Sequence, residues 1–207
     1  MKKLFYITLC LIVFSCANEA KKIQEQKPTP PSEKSIKNPY KTGNILVKWS
    51  AYKHTGKIPV NGEFEKVEIS NFNEDTDIKT AVSGTKFKIP ISSINTNDKN
   101  RDYKIISSFF EIMLNTDTIS GEIISLDSDG SGKISISMNN QSIDKNYTWV
   151  MDEETQELII KTSIDVLEWG AQNALNALNE VCSERHTGPD GVNKLWPDVD
   201  ITVIAEL

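Results

Sequence analysis

From residue 43 to 207, apolar and polar residues alternate with a period of two, the pattern of strands with one buried and one solvated face. Ile45, Val47, Trp49 and Ala51 share one face of the first run. Further runs at 59–69, 79–91, 116–126, 133–139, 145–151, 157–164 and 199–207 predict about eight strands. Turn-forming residues separate several of them: Asp-Ser-Asp-Gly-Ser-Gly at 127–132, Asn-Asn-Gln at 139–141 and Asp-Glu-Glu at 152–154. Connections this short favour antiparallel neighbours. Two stretches depart from the alternation. Ile105, Phe109, Ile112 and Met113 fall at helical spacing, as do Leu167, Ala171, Leu175, Leu178 and Cys182. Gly170 lies inside the second stretch and costs about 1 kcal/mol against Ala in a helix, so the helix is expected to start after it. The expectation is an all-β domain over 43–207: eight antiparallel strands closed into a barrel, which removes sheet edges, with a helix across one mouth or in a long connection.

The first 42 residues read differently. Lys2 and Lys3 form a basic start, and residues 4–14 are an apolar run too short for a membrane span, which needs about 20 residues. Val13-Phe14-Ser15-Cys16 follows the order of a bacterial lipobox: an aliphatic residue, a small residue, then cysteine. The expectation is a signal peptide over 1–15 and an acylated Cys16, whose buried chains anchor a protein without a transmembrane helix. Ordinary secretion with a free N-terminal cysteine is the alternative. Ala17 rather than Asp after the cysteine implies carriage to a Gram-negative outer membrane. Residues 17–42 are rich in Lys, Gln, Glu, Ser and Pro and read as a tether of about 30 Å by random-coil scaling.

Charge and cysteine content narrow the picture further. The chain carries a net charge of −6, more negative once Lys2 and Lys3 leave with the leader, which excludes nucleic acid as a partner. Of three cysteines, Cys10 is lost and Cys16 consumed, so Cys182 stands alone and no internal disulfide is expected. The segment 127–132 begins like a calcium loop, with Asp127, Asp129, Ser131 and Gly132 in order, but Met138 stands where a bidentate Glu is needed, so a hairpin turn is expected. Cys182 and His186 lie four apart on one helix face, yet His54 is the only other histidine, and a buried thiol beside a helix-terminal histidine is the simpler reading. Gly130-Ser-Gly-Lys133 lacks the first glycine and the helix of a phosphate loop. Glu153 and Glu154 read as a solvated turn, and no catalytic triad, metal site or cofactor is expected.

Several segments carry a family resemblance. Val47-Lys-Trp-Ser-Ala-Tyr-Lys-His54, Val60-Asn-Gly-Glu-Phe64, Ile91-Ser-Ser-Ile-Asn-Thr96, and above all Arg101-Asp102 with Ser107-Ser-Phe-Phe-Glu111, resemble the YceI-like family in order and spacing. The stretches 186–191 and 195–199 look like the tail of its lipoprotein branch. The resemblance implies a lipocalin-like eight-stranded barrel whose lumen takes a polyisoprenoid, a quinone-like molecule or a fatty amphiphile, in the periplasm or outside the cell, without enzyme activity. By inward alternation and position, Trp49, Phe64, Phe87, Phe109, Phe110 and Trp149 are the expected lumen or mouth residues. Residues 116–121 and the acidic turn at 152–157 depart from the family pattern, and the helix around Leu175 lengthens the region before the last strand, where it could occupy the ligand's place. Two other readings stand beside this one. In the first, the lumen is plugged and the barrel docks a second copy or another envelope protein. In the second, an envelope enzyme uses Cys182 or His186.

Overall fold

The computed structural model describes residues 38–207. The expected leader, Cys16 and most of the expected tether lie outside the described residues. Tyr40 N–H donates to the Asp75 carbonyl at 2.9 Å.

One antiparallel sheet dominates, built from ten strands: β1 (Ile45–Lys53), β2 (Ile58–Phe64), β3 (Glu68–Ser70), β4 (Lys86–Pro90), β5 (Ile94–Asn95), β6 (Thr118–Leu126), β7 (Ser131–Met138), β8 (Gln141–Asp152), β9 (Glu157–Asp165) and β10 (Leu195–Glu206). The count corrects the expected eight, and the excess has a local cause. β2 and β3 are one run interrupted at residues 65–67, and β4 and β5 one run interrupted by a 3-10 turn at Ile91–Ser93. Pro90 has no N–H for the ladder, and Ser93 Oγ donates back to the Pro90 carbonyl at 2.7 Å, which turns the chain. β3 pairs with β4 and β2 pairs with β5, both antiparallel. The sheet, ordered β3-β4-β6-β7-β8-β9-β10-β1-β2-β5, therefore curls until its first and last strands belong to neighbouring chain runs.

Inward positions alternate as the sequence predicts. Ile134, Ile136 and Met138 on β7 and Leu158, Ile160 and Ile164 on β9 are all buried, while their neighbours Lys133 and Lys161 are exposed. The turn at 139–140 is a two-residue hairpin in which Asn139 and Asn140 both take positive φ, a conformation asparagine tolerates well. The 127–130 turn closes with Gly130 at φ 81° and the Asp129 carboxylate accepting from Ser131 N and Oγ. It is a hairpin turn, and its short carboxylate hydrogen bonds hold Asp129 below its ordinary pKa.

Helical segments occupy three connections. The expected strand 79–91 starts instead as helix α1 (Ile78–Val82), because Asp77 caps it by accepting from Thr80 N and Oγ1. Only residues 86–90 of that run are strand. Helix α2 (Lys99–Ser108) is capped by Asp98, and Asp102 in its first turn accepts from both Thr96 N and Thr96 Oγ1. After β9 a 3-10 turn, Val166–Trp169, ends at Gly170 with φ 68°, and α3 (Gln172–Val181) begins beyond it, as the cost of Gly170 predicts. α4 (Ser183–His186) follows. The last strand starts at Leu195, four residues earlier than expected; Pro197 is tolerated because the β1 register shifts between Ala51 and Lys53, opposite it.

Candidate ligand-binding lumen

Three cross-strand pairs set an aromatic ring over a glycine, and the rings of two of them, Trp49 and Phe87, lie on the wall of the lumen. Trp49 stands opposite Gly62, Phe87 opposite Gly121 and Tyr147 opposite Gly132. In each pair the ring lies over the glycine: an added Cβ at Gly62 would stand 2.2 Å from Trp49 Cζ2, and one at Gly121 2.5 Å from Phe87 Cζ. The glycines let large rings lie flat along the sheet instead of filling the centre. Tyr147 anchors its ring through its hydroxyl, which donates to the Ser125 carbonyl at 2.6 Å, and burial raises its pKa.

The space left inside is an apolar cavity of about 260 Å³. Its wall runs from Thr42, Phe72 and Leu207 near one end of the barrel to Leu175, Leu178 and Trp196 near the other. No charged residue lines it, and its polar positions are Thr42, Thr85, Thr162 and the indole N–H groups of Trp49 and Trp196, the second of which donates to the His54 carbonyl at 2.7 Å. Trp49 Nε1 and Thr85 Oγ1 are buried without a hydrogen-bond partner among the described residues, so each is free to bond one polar atom of a ligand, while the rest of the wall is apolar.

At one end, α2, the Phe109 that ends it and α3 lie across the barrel and add Ile105, Phe109, Leu175 and Leu178 to the wall. Phe110 ties this cap together, edge-on to Phe109 with ring centroids 5.2 Å apart and edge-on to Phe64 at 6.4 Å. The helix around Leu175 thus roofs the lumen and leaves it open inside. Trp169, fully buried in the 3-10 turn before α3, donates Nε1 to the Ile136 carbonyl at 3.0 Å.

The structure brings Trp49, Phe64, Phe87, Phe109 and Phe110 together on this wall. Trp149 is not on it. Register puts Trp149 opposite Ile160, on the inward face, but its Nε1 is drawn to the carbonyls of Asp127 at 3.1 Å and Ser131 at 2.9 Å, which hold the indole against the hairpin turn. Sequence reasoning missed Phe72 and Trp196, and gave no weight to Ile123, Ile134 and Ile160, although the alternation of β6, β7 and β9 marks those three as inward.

Cys182 is a free thiol, and His186 is buried with Nδ1 2.9 Å from Asn179 Oδ1. Burial, then the positive charges of Lys53, His54 and Lys104, push its pKa down to about 4. Among the described residues no group of three or more His, Cys, Asp or Glu side chains could hold a metal ion.

No curated protein matches the sequence. Solved structures do. A polyisoprenoid binding domain from Saccharophagus degradans superposes with a TM-score of 0.54 at 11% identity, covering 82% of this chain and 96% of that one. BcnA from Burkholderia cenocepacia superposes with a TM-score of 0.53 at 9% identity, covering 78% and 94%. At such identities the likeness establishes the fold alone. The sequence profile of the YceI-like domain matches residues 32–206, and with most of its length so covered the chain belongs to the YceI-like domain family.

Proposed function

We propose that this protein holds the apolar chain of a small amphiphile or isoprenoid inside its barrel, and that its role is binding and not catalysis. The observation that carries the reading is the uncharged cavity enclosed by the sheet, roofed but not filled by α2 and α3. Its existence also weighs against a plugged barrel serving only as a docking module. The structural neighbour described as a polyisoprenoid binding domain points the same way.

Size sets the length of chain. An apolar cavity of about 150 Å³ accepts benzene, so 260 Å³ holds about ten carbons by the same measure. Burying ten methylenes at about 0.8 kcal/mol each gives about 8 kcal/mol, a micromolar dissociation constant before ordering costs. In a titration with straight-chain alcohols, affinity is expected to rise with each added carbon up to about ten and then level off as further carbons leave the lumen. Affinity independent of chain length would contradict the reading.

We further propose that the domain works at the bacterial outer membrane, held there by lipid on Cys16. The support is the sequence: the basic start, the short apolar run and the lipobox-like Val13-Phe14-Ser15-Cys16. Cells fed labelled palmitate are expected to label the wild-type protein and not Cys16→Ser. Equal labelling of both would refute the anchor.

A further inference from the structure

Among the described residues, three buried side-chain atoms lack a hydrogen-bond partner: Trp49 Nε1, Thr85 Oγ1 and Asp102 Oδ2. The Asp102 oxygen has the Lys99 ammonium at 3.5 Å, and Asp102 is not part of the lumen wall. The other two atoms both belong to residues of that wall. Its remaining polar groups are provided for. Thr162 Oγ1 donates to the Asn146 carbonyl at 2.9 Å, Trp196 Nε1 donates to the His54 carbonyl, and Thr42 meets solvent.

A donor left unpaired in a buried site costs stability, and neither position needs one for its shape. Valine has the outline of Thr85, and phenylalanine would keep an apolar ring over Gly62. Two such costs around one cavity point to a partner that enters it. The donors decide its chemistry. Trp49 Nε1 can only donate and Thr85 Oγ1 can donate or accept, so an acceptor satisfies both. With no charged residue on the wall, that acceptor is uncharged. A carbonyl oxygen fits: it offers two lone pairs and brings no proton that the wall would have to pair. Both donors are covered by neighbouring atoms in this structure, and a turn of Thr85 about its Cα–Cβ bond or a tilt of the indole brings them to the surface of a bound chain.

We infer that the lumen selects an uncharged chain bearing a carbonyl oxygen, which accepts a hydrogen bond from Trp49 Nε1, Thr85 Oγ1 or both. The inference rests on the chain-binding reading above. Dibutyl ketone and methyl heptyl ketone, each compared with the olefin in which CH₂ replaces the carbonyl oxygen, form pairs alike in shape that differ in the acceptor. Headspace gas chromatography over the purified protein reads the affinity of each. Thr85→Val, Trp49→Phe or both are expected to weaken at least one ketone about three- to tenfold, the range of a neutral hydrogen bond. The matching olefin is expected to stay within about twofold of its wild-type affinity, which also shows that the variant is folded. Thr85→Val is further expected to raise the thermal midpoint of the protein without ligand, because it removes an unpaired group; a hydroxyl with only a structural role would lower it. If Trp49→Phe binds neither member of a pair, Thr85→Val alone decides. Ketone and olefin weakened equally, or ketone affinity untouched by the substitutions, would overturn carbonyl selection and leave the lumen reading standing. If the wild-type protein binds neither ketones nor olefins, the lumen reading fails and carbonyl selection with it.

Discussion

At the scale of single residues, the wall is made by what is absent as much as by what is present. Trp49 and Phe87 lie flat because Gly62 and Gly121 stand opposite them without a Cβ. Gly62→Val is therefore expected to displace the indole and destabilise the fold by about 1–3 kcal/mol, the cost of overpacking a filled site. Urea unfolding with tryptophan emission reads both effects, and an unchanged midpoint with unchanged emission would contradict the account. The inward parity of Trp49, Phe64 and Phe87 is legible in the sequence because alternation is local. The glycine partners are not, since pairing Trp49 with Gly62 requires the register of two strands. Trp149 shows the same limit: its parity is inward, but the carbonyls that hold its indole belong to a turn 18 and 22 residues earlier in the chain.

Among the elements, alternation predicted most strands but concealed α1, where the Asp77 cap overrides a run that otherwise reads as a strand. It also concealed the breaks that divide two long runs into β2 with β3 and β4 with β5, which depend on Pro90 and on Ser93 returning to it. The α3–α4 corner was visible as helical spacing, whereas its electrostatics follow from tertiary burial. His186 at that corner has a folded pKa near 4, below the usual histidine value. Below about pH 6.5 the unfolded chain binds a proton that the folded chain refuses, so this residue's contribution to stability falls as pH drops from about 6.5 to about 4. Thermal unfolding across that window is expected to show a falling midpoint, and His186→Gln to flatten the fall. Parallel profiles for the two proteins would remove His186 as the cause.

For the whole molecule, an eight-run meander whose ends meet through continuous chain makes a barrel wide enough for one small ligand, and here the centre is left empty over about 260 Å³. The barrel and its class were legible because every run repeats the same alternation. Whether the lumen is open was not, because it depends on how rings from distant strands share the space. The most direct test is native mass spectrometry of the protein purified from a bacterial host without detergent, with organic extraction of anything bound. The account predicts a discrete added mass that extracts as an acyl or isoprenoid compound, or uptake of such a compound when it is supplied. A bare protein that also refuses added chains would contradict it.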